Sequence, residues 1–320
     1  MSHTVKHSTD TGRPARASRS TRAPQGRRAV ADRRPTRRSA RSPRSGAASP
    51  GMLRPVAAVF VAAVFFLPLY LIVVNVFKPG PDIVPHPFAV PLPPTFANIT
   101  AVLSRPDHLF WYGLVNSIEV TALSITVTTM ISAMLGHYLA RSTSIWARAT
   151  LVAMLCGLMI PPAVILTPIT QVLGSLGLMT TVVGLVLVNI GYYVPFGVFV
   201  FIGFVKGVPL DLEEAANLDG ASTLRTFWQI VFPLLRPATA SVMIFLGVWV
   251  WNDFLNPLII LGPDTGTTVT VGIYRAIGEH QTDFGAEFAL MFLATLPVLV
   301  FYVAFQKHFV KGLTGGATKG

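Results

Sequence analysis

The sequence predicts an all-α polytopic membrane protein: six transmembrane helices, a cytoplasmic loop carrying a helical hairpin, and both termini cytoplasmic. Three observations predict it. The 320 residues are 52% hydrophobic and only 12% charged, about half the charged share of soluble domains. Six stretches are long and apolar enough to cross the roughly 30 Å of a bilayer core. The basic residues between those stretches fall on alternate sides, as membrane insertion requires.

The chain divides at about residue 51. The formal charge of +11 would point a soluble chain toward nucleic acid, but 13 of the 25 Lys and Arg residues lie in the first 50 positions. Residues 1–51 are rich in Arg, Ser, Thr, Pro and Ala, with doublets Arg27-Arg28, Arg33-Arg34 and Arg37-Arg38. Without a periodic apolar pattern such a segment cannot offset its ordering entropy, so it is expected to be disordered. It reads as a transit peptide, as a twin-arginine signal lacking a close apolar region, or as a cytoplasmic tail lying against anionic headgroups. The last is the simplest. No nucleic-acid partner is expected.

The remainder, 52–320, holds the spans. Val56–Phe77 is uncharged, and Leu109–Ala140 contains Glu119 and His137. Ala149–Leu173 and Thr180–Val205 are uncharged, Pro237–Gly262 carries Asp253, and Phe288–Gln306 is again uncharged. With the N-terminus inside, Arg54, Arg141, Arg148, Lys206, Arg225, Arg236, Lys307, Lys311 and Lys319 are also inside, and only Lys78, Arg105 and Arg275 fall outside. Proline in several spans (Pro68, Pro161-Pro162, Pro168, Pro195, Pro257, Pro297) predicts bent helices, whose freed carbonyls need helices or water beside them. The Pro-rich outside segment Lys78–His108 reads as an extended strap. The single cysteine, Cys156, excludes an intrachain disulfide and reads as a small buried hydrophobe.

One connection differs chemically from the rest. In Lys206–Arg236, Asp211 reads as the cap of a helix whose first turn holds Glu213 and Glu214 at the positive dipole end. Gly220 suits a left-handed C-terminal cap, and Ser222 or Thr223 starts a second helix. There Leu224, Phe227, Trp228 and Val231 recur at i, i+3, i+4 and i+7 as an apolar stripe. With no soluble domain to cover it, the stripe is expected to enter a partner's groove or lie in the headgroup layer.

Glu214-Ala215-Ala216, then Asp219-Gly220-Ala221, then Phe227, Ile230, Pro233 and Pro237 resembles the EAA loop of ABC-importer permeases. Trp251-Asn252-Asp253-Phe254 with Pro257, Asn116-Ser117, Ala140-Arg141 and the terminus Phe309–Lys319 resemble the carbohydrate branch of that family, typified by the smaller permease of maltose-type importers. The terminus departs slightly, reading Gly-Gly-Ala-Thr-Lys-Gly rather than Gly-Ala-Val-Lys-Gly. The resemblance spans about 52–320; the basic tail lies outside it.

The resemblance implies that Glu214, Ala215, Ala216, Asp219, Gly220 and Ala221 contact an ATP-hydrolysing subunit, as a coupling helix. It implies an ATP-binding subunit dimer, a second permease chain, an extracytoplasmic solute-binding protein and a bacterial cell membrane. The chain has no G-x-x-x-x-G-K-[ST] loop, the element that cradles nucleotide phosphates. ATP and magnesium are therefore expected on the partner, no cofactor or metal on this chain, and no catalytic residue within it. Carboxylates inside spans are functional candidates, so Glu119 and Asp253 join Asn116, Asn189, Tyr192, Tyr193, Trp251 and Asn252 as candidate solute- or pore-lining residues. Interhelical hydrogen bonding is the alternative for each. The outer loop Pro263–Glu287 is expected to reach a binding protein or to stand as a solvated hairpin.

Rival functions remain open from sequence. An importer for another solute, such as a glycerol phosphate, fits the same loop. An ion-coupled transporter would need midplane carboxylates and often inverted repeats. A membrane enzyme would need a metal or acid-rich motif that the chain lacks, and a scaffold would bind an ATPase without moving solute.

Overall fold

The computed structural model describes residues 53–262, 267–279 and 283–317. The basic tail and Asp264 lie outside them, as do the side chains of the C-terminal motif from Phe309 onward. All regular structure among the described residues is helical, and the longest described connection is 84–96. In order they are α1 (Leu53–Val76), α2 (Gly80–Ile83), α3 (Ala97–Leu103), α4 (Leu109–Arg141), α5 (Ile145–Leu158), α6 (Pro162–Ser175) and α7 (Val182–Val205). Then come α8 (Asp211–Leu218), α9 (Thr223–Thr226), a π-helical turn (Phe227–Val231), α10 (Phe232–Leu234) and α11 (Arg236–Trp251). The last are α12 (Leu255–Ile260), α13 (Val269–Glu279) and α14 (Phe284–Ala317).

Four of these helices, α1, α4, α7 and α14, are long and apolar enough to cross a bilayer by themselves. The third predicted span, Ala149–Leu173, is not one helix. Met159–Pro161 interrupts it, and α5 and α6 meet at 107°. Pro161 and Pro162 supply no N–H, and a helix cannot run through the residue before a proline without strain. The fifth predicted span, Pro237–Gly262, is also shorter than expected: α11 ends at Trp251, and α12 follows after a three-residue break.

Packing shows that the bent pair still crosses. Ser124 meets Asn189, Ser132 meets Gly197 and Gly136 meets Phe201, a constant separation of 65 residues. The contacts advance together, so α4 and α7 run parallel. The chain between them must therefore return to its starting face, and α5 with α6 makes that return. Gly247 of α11 packs on Ile125 of α4 and Phe301 of α14. At the far end, Val76, Val102, Leu109, Ala276 and Leu290 share a core cluster. The six crossings thus alternate, and the hairpin and the end of α14 lie on one side. That side carries Arg141, Arg148, Lys206, Arg225 and Arg236, which marks it as the cytoplasm.

Two expectations about exterior segments change. The Pro-rich strap, expected to be extended, contains two short helices, α2 and α3, and is pinned at several points. Lys78 Nζ donates to Asn75 Oδ1 (2.8 Å) and His86 O (2.7 Å), while Asn98 Nδ2 donates to Val76 O and Lys78 O. Burial pushes the Lys78 ammonium below its ordinary value, opposed in part by Asp82. The described part of the stretch expected as an outer hairpin is mostly α13, and Thr268 and Val269 at its start pack against Gly113 of α4. Residues 54–70 of α1 are all exposed, so lipid or another chain must surround them. Cys156 is exposed on α5 rather than buried, as are its apolar neighbours Leu155 and Leu158.

Candidate coupling hairpin and translocation surface

The hairpin begins where α7 ends. The first helical position of α8 is Asp211, not the cap: Leu210 stands there and no side chain caps it. The helix stops as sequence predicts. Ala221 N–H bonds to Ala216 O (3.0 Å) and Gly220 N–H to Asn217 O (3.1 Å). This paired closure requires a left-handed residue between the arms, and Gly220 has φ 77°. Ser222 then caps α9, its Oγ accepting from Arg225 N. The following turn widens to π geometry, with Phe232 N–H bonded to Phe227 O, just before Pro233, whose ring would crowd the carbonyl four residues back. At Leu235 the arm meets α11 at 77°, so it lies across the inner membrane face.

Faces of α8 divide sharply. Glu213 and Ala216 are buried, while Asp211, Leu212, Glu214, Ala215, Leu218 and Asp219 are exposed, Leu218 at 89%. The outward face is thus apolar studded with carboxylates. Ala216 is turned into the chain, which corrects its expected place among partner contacts. The predicted apolar stripe is corrected too. Phe227 and Val231 are buried in a cluster with Phe201, Val205, Leu235 and Val242, and only Leu224 of that set stands exposed. The chain's own spans cover the stripe except at Leu224, and α8 adds the exposed Leu212 and Leu218.

Sequence reasoning missed the role of Glu213. Its side chain is 10% exposed and lies 2.9 Å from His137 Nε2 and 2.7 Å from Arg141 Nη2. Arg141 also donates from Nε to Glu213 Oε1 (2.9 Å) and from Nη2 to Val208 O (2.8 Å). Burial pushes the Glu213 carboxyl up, but the hydrogen bonds and charges of His137 and Arg141 outweigh it and hold it below the usual carboxylate value. His137, expected as simple packing, is a partner in this cluster and rests its ring on Phe227. The one available signal was spacing: His137 and Arg141 stand one turn apart at the inner end of a span.

Within the spans the candidate polar residues separate into three groups. Asn189 is buried and donates to Ser124 Oγ (3.1 Å) between α7 and α4, its own Oδ1 unpaired. Asn116 donates to Thr267 O (3.0 Å) and Tyr192 to Pro162 O (3.0 Å). These three hold helices and connections together. Asp253 bonds Asn256 through both carboxylate oxygens at the start of α12, yet it lines an open recess with Tyr193, Val248, Trp249 and Asn252. Asn252 is exposed there, bonded only along its own helix to Val248 O. Glu119 is exposed on the side of α4 opposite Ser117 and Ser124.

Trp251 does not join that recess. It lines an apolar cleft of about 240 Å³ with Ile125, Gly247, Pro297 and Phe301. Trp249, two residues earlier and so turned about 200° around the helix, takes its place. It stacks on Tyr193, centroids 5.7 Å apart and planes at 27°, and meets Phe196 edge-on at 4.7 Å. The aromatic platform beside Asn252 and Asp253 is therefore Tyr193 and Trp249.

Similarities to known proteins run across nearly the whole described chain. It is 34% identical over 79% of its length to the multiple sugar-binding transport system permease protein MsmG of Streptococcus mutans, covering 91% of that protein. It is 29% identical over 82% of its length to the melibiose/raffinose/stachyose import permease protein MelC of Bacillus subtilis, covering 95% of it. A chain of a bacterial ABC transporter that imports the acidic polysaccharide alginate shares the fold, with a TM-score of 0.71 at 20% identity over 81% of this chain and 96% of that one. The family model for the binding-protein-dependent transport system inner membrane component matches residues 130–315, from mid-α4 through the hairpin to the end of α14. With six alternating crossings and a glycine-turned hairpin on the inner face, this chain belongs to the binding-protein-dependent transport system inner membrane component family.

Proposed function

We propose that this permease imports a sugar or oligosaccharide across a bacterial cytoplasmic membrane, driven by ATP hydrolysed on separate subunits. One observation carries the reading: α8 turns a carboxylate-studded apolar face to the cytoplasm while its opposite face is bonded to the spans. An ATP-binding subunit receives that face, with Glu214, Ala215, Asp219, Gly220 and the half-covered Ala221 as contacts. ATP and magnesium bind the partner, and this chain supplies no catalytic group. Closure of the ATPase dimer draws the hairpins together and reverses the access of a cavity shared with a second permease chain.

The sugar reading draws on the names of relatives such as MsmG and MelC. It also draws on the platform of Tyr193 and Trp249 beside Asn252 and Asp253, since aromatic faces suit pyranose rings and amide and carboxylate groups suit hydroxyls. Delivery by an extracytoplasmic solute-binding protein fits a related alginate transporter solved with its pentasaccharide-bound periplasmic protein.

Purification of the complex from its native membrane tests the reading. An ATP-binding subunit and a second permease should accompany the chain, and Glu214→Lys should insert normally while uptake falls at least about tenfold, as loss of a buried charge contact at an interface does. Accumulation of solute in vesicles holding this polypeptide alone, driven by an ion gradient, would overturn it.

A further inference from the structure

Helix α4 has 33 residues and no proline, whereas α1, α6, α7 and α14 each carry one inside. At about 1.5 Å per residue it is a rod of about 50 Å. Toward its outer end Asn116 donates to Thr267 O, and Ser117 Oγ accepts from Val269 N at 2.9 Å. At its inner end the last turn grips three separate pieces of the hairpin. Arg141 holds Val208 O before α8, His137 and Arg141 hold Glu213 within α8, and the His137 ring packs on Phe227 in the second arm. All of these contacts use the side of the hairpin that faces the spans. Glu214, Leu218 and Asp219 stay exposed on the other side.

The chemistry suits transmission of movement. A carboxylate bonded through one oxygen to a guanidinium and through the other to an imidazole nitrogen resists sliding and rotation, because displacement lengthens the charge-assisted bond to Arg141. Low exposure raises the cost of separating the partners, since the Glu213 carboxylate would then be buried without its counter-charge. A hairpin attached only through its connecting loops would instead swing without moving α4.

We propose that His137, Glu213 and Arg141 form an ionic latch that makes α4 the rod carrying hairpin displacement to the external segment at Thr267–Val269. Glu213 is then a positioning residue for coupling, distinct from the ATPase-facing Glu214. The inference rests on the hairpin's being the ATPase-docking element.

The assembled transporter, purified from its native membrane with Cys156→Ser as background, carries spin labels at Leu92→Cys and Tyr274→Cys, both exposed outside. The displacement of that pair on adding magnesium ATP and vanadate is the readout. Glu213→Ala should keep the ATPase subunit bound within about twofold yet reduce the displacement at least about fivefold, and Glu213→Gln should lie between, as expected for graded loss of a coupling contact. The exchange Glu213→Arg with Arg141→Glu should restore at least half of it, because the pair and not the residue is what matters.

A full displacement in Glu213→Ala with the ATPase subunit still bound overturns the latch. Should Glu213→Ala fail to assemble, a wild-type displacement in Glu213→Gln overturns it instead. Glu214→Lys separates the two readings. If it abolishes displacement while Glu213→Ala does not, only the latch falls; if it leaves ATPase binding and displacement untouched, the docking reading itself falls.

Discussion

Gly136 lies flat against Phe201: a methyl group added to the glycine would stand 2.7 Å from Phe201 Cβ. That approach is below any ordinary carbon contact, and Phe201 is fully buried, so neither helix can yield without a backbone shift. Gly136→Ala should therefore cost about 1–3 kcal/mol as overpacking does, seen as a lower melting temperature of the purified protein. Gly157→Ala, with open space at its Cβ, is the control and should leave it unchanged.

Gly220 has open space around it but a φ of 77°. Replacement by Leu is thus opposed by conformation and not by crowding, at about 1–2 kcal/mol for a left-handed L-residue. Gly220→Leu should weaken co-purification of the ATP-binding subunit, whereas Gly220→Asn should largely retain it, because Asn tolerates that region.

Opposite orientations of Trp249 and Trp251 give a paired test of the translocation surface. Trp249→Ala should raise the solute concentration for half-maximal uptake about tenfold, in line with the loss of a stacking platform, with melting temperature little changed. Trp251→Ala opens the apolar cleft beside Pro297 and Phe301, so it should lower melting temperature first.

The Glu213 carboxyl, held below its ordinary value, ties stability to pH. A depressed native pKa contributes stability that is complete above the unfolded value of roughly 4.3 and is lost as pH falls through the lower native one. The groups facing it are His137 and Arg141 of α4, while Asp211 and Glu214 of its own helix are exposed on other faces. Thermal unfolding in detergent should therefore decline in acid for the wild type, and less steeply for Glu213→Gln. Parallel acid profiles would show that the carboxylate contributes nothing through its charge.

Sequence legibility followed the range of the physics. Hydropathy windows found six crossings because lipid acts on every residue of a span. Gly220 and Ser222 were readable because caps are decided within a few residues of chain. The Pro161-Pro162 pair announced a disturbance, but the 107° angle depends on what α5 and α6 pack against. Glu213 stands in the first turn of α8 as expected, but its bonds to Arg141 and His137 were not readable because those partners lie 72 and 76 residues away. Trp251 was chosen over Trp249 because a motif names neighbours in sequence, while helix rotation decides which of them faces the recess. Ala216 fell to the same rotation, one step along α8.

The unvarying register between α4 and α7 limits how the transporter can work. Two helices meshed notch to knob over most of their length cannot shear past each other, so they travel as a single beam. Among the described residues the backbone ladder of the spans is broken at the Met159–Pro161 elbow and at Asn252–Phe254 beside the recess. Stiffening the Met159–Pro161 elbow, which holds none of the candidate solute contacts, should then stall uptake while leaving the recess as it is.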